Sequence, residues 1–296
     1  MSARQGTARV AVVLATIAFV LAVAGGALAQ DSAFVVRDSE FLADGSTRMT
    51  LAITGDLDQP LGAGQVSVAE NGQAVDDVQI EPIGQSEANE IGIALVMDTS
   101  GSTEGEPLAA AKTAAQGFLD SLGDVQASVV LVAFSDGASV AAPLTTNRGA
   151  VAQAIDDLVA DGETALYDAI ALASTELRAV DGQRTILVFS DGADTASEAG
   201  LDQAVAAAVA SEATISTVVL SSPDLDVAAL QNLASASDGT SITVDSTAEL
   251  AGAFEDVASV LTNQYVLTYT GSTEESAELD VAITVALPAG EATQSF

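Results

Sequence analysis

The stretch Ile91-Gly92-Ile93-Ala94-Leu95-Val96-Met97-Asp98-Thr99-Ser100-Gly101-Ser102 decides how this chain folds. Its first seven residues are apolar or glycine, as in a central strand covered on both faces. An aspartate and two serines follow at once. A helical pattern over Glu106 to Leu122 comes next, alanine-rich and with Pro107 in its first turn. Acidic and hydroxyl groups thus stand where a buried strand ends and a helix is about to start. In open α/β sheets that end of the strands is where ligands bind. In an extended segment, a spacing of two puts Asp98, Ser100 and Ser102 on one side. Three small oxygen ligands converging on one point suit a hard divalent cation.

Downstream, strand and helix patterns alternate. Ala127–Phe134 reads as a strand, and Ser139–Leu144 pairs with it as a hairpin. Arg148–Leu158, Thr164–Ala179, Leu201–Ala210, Asp226–Ala236 and Ala248–Leu261 read as helices, with buried strands at Thr185–Phe189 and Thr214–Leu220. The pattern predicts an α/β domain over 87–263: a doubly wound, mostly parallel sheet with helices on both faces. Upstream, over 30–86, short alternating runs (Phe34-Val35-Val36, Arg48 to Ile53, Gln65 to Val68) are punctuated by Asp44-Gly45, Gly55-Asp56 and Asn71-Gly72. This predicts a small β-sandwich segment with no ligand cluster. Alternation returns over 264–296, at Gln264–Thr270 and Asp280–Leu287. These strands are expected to pair with the N-terminal segment, the α/β domain being inserted between them.

The Asp98-x-Ser100-x-Ser102 pattern at a strand end resembles the metal-ion-dependent adhesion site of von Willebrand factor A-type domains, whose sheet is Rossmann-like. The resemblance spans roughly Glu90 to Tyr269, and it extends to two further motifs. Asp161-Gly162-Glu163-Thr164 precedes a helix and matches the family's threonine loop. Phe189-Ser190-Asp191-Gly192 follows the next strand and matches its second aspartate. The resemblance implies metal contacts from the hydroxyls of Ser100, Ser102 and Thr164, with Asp98 and Asp191 acting partly through water. It also implies a small octahedral site favouring Mg²⁺, with Mn²⁺ or Ca²⁺ as alternatives. Neutral hydroxyls leave the ion net positive, so an open position would attract a carboxylate from a partner protein.

Each residue taken alone has a local explanation. Ser100, Ser102 and Thr164 are good helix caps, and Asp191-Gly192 is a good turn. Phe-Ser-Asp-Gly also occurs at Phe134–Gly137, where the alternating Ser139 to Leu144 that follows marks Asp136 as a hairpin residue. Glu104 and Glu106 are expected to be solvated acids at a helix start. Thr103 departs from the methionine common in the family, which bears on packing under the loop.

Composition removes whole classes of chemistry. Neither His nor Cys occurs, which excludes imidazole bases, thiolate zinc sites and disulfides. Net charge is −34, so nucleic acid and anionic membranes are repelled. A phosphoryl-transfer enzyme with Asp98 as nucleophile is the weakest reading. The second aspartate of such sites, resembling the haloacid dehalogenase type, is Ser100 here, and the one lysine is Lys112, in the first helix. Two other readings stay open: a metal-dependent protein-binding module for adhesion or assembly, and a structural envelope component with a merely stabilising metal.

Met1–Ala29 reads as a secretion signal: Arg4 and Arg9, the apolar Val10 to Ala24, then Ala27-Leu28-Ala29. Cleavage after Ala29 is expected, placing the rest in the envelope or outside the cell. The 20 residues from Val10 to Ala29 are also long enough for an uncleaved anchor. Membrane association is otherwise expected only through a C-terminal region not contained in this sequence.

Overall fold

A computed structural model describes residues 34–42, 44–53, 57, 60–85, 90–223, 225–271, 280–288 and 290–295. The expected secretion signal and the Gly55-Asp56 turn lie outside these residues. The chain divides into two units, one of residues 83–262 and one formed by the segments before and after it.

The split unit opens with β1 (Phe34–Phe41), β2 (Ser46–Ile53), β3 (Val66–Glu70), β4 (Gln73–Ala74) and β5 (Gln79–Pro82). The inserted unit runs β6 (Ile91–Asp98), α1 (Glu106–Ser121), β7 (Ala127–Phe134), β8 (Ala138–Thr145), α2 (Arg148–Asp156), α3 (Leu166–Leu177), β9 (Gln183–Ser190), α4 (Leu201–Ala210), β10 (Ala213–Leu220), α5 (Val227–Ser235), β11 (Ser241–Val244) and α6 (Leu250–Thr262). The chain then returns to the split unit with β12 (Gln264–Thr270), β13 (Val281–Leu287) and β14 (Gly290–Ser295).

In the inserted unit the sheet order is β11-β10-β9-β6-β7-β8. All neighbours are parallel except β7 and β8, which form the expected antiparallel edge. The chain leaves β6 on one side to reach β7, then crosses back to reach β9 on the other. Right-handed crossovers in opposite directions put α1 and α3 on opposite faces of the sheet. That is why every residue of β6 is buried. Ala94 and Val96 pack in one cluster with Ala169, Ile170 and Ala173 of α3 and with Ile186 and Val188 of β9. Ile93, Leu95 and Met97, which alternate to the other face, are equally inaccessible. α1 packs along α6, where the Phe118 and Phe254 rings meet edge-on at 6.4 Å. Gly92 is required here: a Cβ would stand 2.8 Å from Val180 Cγ2, so only glycine lets the end of α3 approach the strand.

The split unit consists of two antiparallel sheets, β1-β2-β12-β5 and β14-β13-β3-β4. They share one core, with Phe34, Leu51 and Leu267 from the first and Val68, Ile283 and Val285 from the second. β12 pairs with β2 (Tyr265 opposite Leu51) and β13 with β3 (Ile283 opposite Val68). Asn71 and Gly72 both have positive φ, 51° and 76°, as a two-residue hairpin turn requires. The sequence reading did not find β4, β5, β11 or β14. These are short or polar edge strands whose side chains carry little alternation. Among the described residues, no helix is long and apolar enough to cross a membrane.

Candidate metal centre

β6 and β9 are adjacent parallel strands, and the direction of winding reverses between them. The crevice at their carboxyl ends is the switch point where ligands bind in such sheets. Asp98 ends β6, and Asp191 directly follows β9. Asp98 is fully buried, Asp191 is 5% exposed, and both lie at that crevice.

Asp98 has both carboxylate oxygens engaged. Oδ1 accepts from the Ser100 backbone N–H at 2.9 Å and from the Ser100 hydroxyl at 2.5 Å. Oδ2 accepts from the Ser190 hydroxyl at 2.5 Å. The Ser100 and Ser102 hydroxyls are 3.0 Å apart, and Ser102 donates to Asp191 Oδ1 at 2.7 Å. One chain of oxygens thus joins Asp98 to Asp191. Ser102 is exposed and marks the mouth, while Ser100 is buried.

The expected extended run through Ser102 is not what the structure has. Residues Gly101–Thr103 form a 3-10 turn, and that turn swings Ser102 toward Asp191. Thr103, fully buried, donates its hydroxyl to the Ser100 carbonyl at 2.8 Å and so holds the turn.

The third loop is docked by backbone. Gly101 N–H donates to the Gly162 carbonyl at 2.9 Å, and Asp161 N–H to the Thr99 carbonyl at 2.8 Å. Asp136 sits in the β7–β8 turn, as expected, yet it also serves this loop: its Oδ1 accepts from Glu163 N–H at 2.8 Å. Gly162 adopts φ +82°, and a Cβ there would fall 2.6 Å from the same oxygen. Thr164 follows, 6% exposed, with its carbonyl accepting from Thr195 N–H at 2.8 Å. Its hydroxyl lies 3.8 Å from where a Cβ on Gly192 would stand, beside Asp191. Among the described residues, no hydrogen bond engages that hydroxyl.

The local explanations for these hydroxyls are not realised. Ser100 caps its 3-10 turn without a side-chain bond, α1 is preceded by Gly105, and α3 by Ala165. All five residues read from the sequence, Asp98, Ser100, Ser102, Thr164 and Asp191, therefore border one crevice with their side-chain oxygens free of helix ends. The supporting groups Ser190 and Asp136, and Ser222, which donates to the Asp191 carbonyl at 2.5 Å, were not among those expected. Ser190 had a signal in its place beside Asp191, and Asp136 in the repeated Phe-Ser-Asp-Gly, whereas Ser222 had none.

Burial pushes the Asp98 carboxyl above the usual carboxylate range, with Asp191 adding to the rise against the hydroxyl and N–H donors of Ser100 and Ser190. Asp191 is raised too, again chiefly by burial. Among the described residues the ion pairs are Arg48–Glu40 and Arg184–Glu212, so no arginine or lysine neutralises this pair. Two buried, uncompensated carboxylates with three nearby hydroxyls fit a hard divalent cation. No trio of acidic side chains gathers among the described residues, so hydroxyls would supply most of the protein contacts.

Residues 93–193 match the family model for the von Willebrand factor type A domain. No curated protein matches the chain by sequence. A von Willebrand factor type A structure from Catenulispora acidiphila superposes with a TM-score of 0.55 at 18% identity, covering 90% of this chain and 72% of the other. Proximal thread matrix protein 1 from the mussel byssus, solved with zinc occupying its MIDAS motif, gives 0.54 at 19% identity, over 67% of this chain and 50% of that one. At these identities the likeness is one of fold. The chain thus shares the fold of von Willebrand factor type A domains, and its residues 93–193, from the first strand through the threonine loop to the second aspartate, are similar to that family in sequence.

Proposed function

We propose that this protein is an extracytoplasmic, non-catalytic binding module in which a divalent cation, Mg²⁺ by preference, accepts a carboxylate from a partner protein. The observation that carries the reading is the convergence of Asp98, Ser100, Ser102, Thr164 and Asp191 at the switch point, joined by hydroxyls and lacking any cationic side chain. Ser100, Ser102 and Thr164 would hold the ion directly, and Asp98 and Asp191 would balance its charge. The bound ion supplies a Lewis-acidic position at the exposed mouth. Everything else is done by the chain, which fixes the hydroxyls at the crevice. The metal-occupied motif of the mussel protein supports the choice of a divalent ion. The apolar leader read over Met1–Ala29 supports a place outside the cytoplasm.

Thermal unfolding of the exported protein with and without Mg²⁺, Mn²⁺ or Ca²⁺ tests this. A ligand at about 100 times its Kd adds about 2.7 kcal/mol of stability. That shift is expected for the wild type and not for Asp98→Asn or Ser100→Ala. A wild-type melting temperature that none of the three ions moves would sink the reading.

A further inference from the structure

The loops that frame the crevice carry many acids and no base. They comprise residues 98–106, 134–139, 159–168, 190–200 and 221–227, and none contains Lys, Arg or His. Glu104, Asp136, Asp161, Glu163 and Glu198 are exposed there. The basic residues of the inserted unit lie elsewhere: Arg178 is exposed just after α3, and the other three are tied down. Arg148 bonds the carbonyls of Leu119, Gly123 and Val125, where α1 ends. Arg184 bonds Val180 and Ser211 carbonyls at the start of β9, and Lys112 bonds the Asp156 carbonyl. Charge is therefore polarised, with the metal end of the sheet uniformly negative.

Two of the rim acids are held by bonds between neighbouring loops. Glu163 accepts from the Thr195 hydroxyl at 3.2 Å, and Asp136 fixes the Glu163 backbone. Tyr167, half-buried in the first turn of α3, donates its backbone N–H to Asp194 at 3.2 Å. Its phenol is raised by burial and then by the negative field of Asp194 and Asp226. At the centre, Thr164 is 6% exposed, and its hydroxyl, which no hydrogen bond engages among the described residues, lies beside Asp191 and is open to a ligand.

A carboxylate approaching this end must cross a negative rim to reach a positive centre. An acidic surface would be repelled as it nears contact, because exposed charges are screened only beyond about 10 Å at 0.1 M salt. We infer that the partner presents a single Asp or Glu set among lysines or arginines. Its carboxylate meets the cation, and its flanking bases meet Glu104, Asp161 and Glu163. This rests on the metal-binding reading above and adds the chemistry of the partner. The flanking bases supply attraction and rate, while the metal supplies the anchor.

The test uses the full exported chain and four matched peptides: one central aspartate flanked by lysines, by serines or by glutamates, and the lysine peptide with asparagine at its centre. Calorimetric Mg²⁺ binding is measured first, so failure of the metal reading is seen separately. With Mg²⁺ bound, the lysine-flanked aspartate peptide should bind about tenfold or more tighter than the glutamate-flanked one at low salt, the gap narrowing as salt rises. EDTA should remove that binding. The Glu104→Gln/Glu163→Gln double variant should keep Mg²⁺ affinity and lose most of the preference. Equal binding of all aspartate peptides, or no peptide binding by Mg²⁺-loaded protein, would overturn the inference. So would an asparagine peptide that binds as well as its aspartate parent.

Discussion

Ser190 donates its hydroxyl to Asp98 Oδ2 at 2.5 Å, closing a bond between two neighbouring strands whose residues are 92 positions apart. Both residues are fully buried. The bond fixes Asp98 from the side opposite Ser100, so the carboxylate faces the crevice in one orientation. Removing it leaves a buried acceptor oxygen unsatisfied. Ser190→Ala should therefore cost about 1–3 kcal/mol in urea unfolding and weaken Mg²⁺ binding, although Ser190 is no metal contact.

Asp98 and Asp191 should behave differently from Asp136. The first two are buried against their charge, so Asp98→Asn or Asp191→Asn should leave the metal-free protein as stable as wild type or more so, while abolishing Mg²⁺ binding. Asp136→Ala removes the acceptor for Glu163 N–H and should destabilise the protein by about 1 kcal/mol. Its Mg²⁺ affinity should fall only partly. Calorimetry and denaturant unfolding on the three variants check both halves. Retention of binding in Asp191→Asn with complete loss in Asp136→Ala would reverse the roles assigned to the two Phe-Ser-Asp-Gly loops.

The raised carboxyls set a pH dependence. The folded state holds protons on Asp98 and Asp191 more tightly than the unfolded chain. Their contribution to stability is thus fully present below the ordinary carboxylate value of 3.8 and is lost as pH rises through the raised values. Metal binding needs the ionised forms, so it follows the reverse order. Mg²⁺ should stabilise little in acid and progressively more as pH climbs. A pH series of melting temperatures in Mg²⁺ and in EDTA reads this as two diverging curves, and parallel curves would contradict it.

In the split unit, burial pushes the Tyr269 phenol up to about 12, with Glu70 adding to the rise and a bond with Thr47 opposing it. The folded value lies above the ordinary phenol value of 10.0, so this group stabilises below pH 10.0 and its contribution disappears as pH rises through about 12. Unfolding followed over that alkaline window should show a loss in wild type that Tyr269→Phe reduces. An unchanged alkaline limb in the variant would assign the loss elsewhere.

Gly92→Ala should destabilise by about 1–3 kcal/mol, because the new methyl meets Val180 and Leu177 where α3 ends. Metal affinity should persist in the folded fraction, as Gly92 lies far along β6 from Asp98. Urea midpoints together with Mg²⁺ titration separate the two effects.

The sequence by itself determined the central strand, the helix–strand alternation and the identities of the five oxygen-bearing residues. Continuous apolar runs report two-sided burial, and ligand types with local spacing survive in one dimension. The short edge strands β4, β5, β11 and β14 were not legible, because a half-exposed polar edge is held by backbone pairing rather than by patterned side chains. Only the tertiary structure decided that Ser102 arrives through a 3-10 turn and that Ser190 and Asp136 brace the site. It also decided that every loop at one end of the sheet is acidic. Those facts depend on which strands become neighbours when the chain reverses direction at β6, and crossover geometry settles that by packing contacts between residues far apart along the chain.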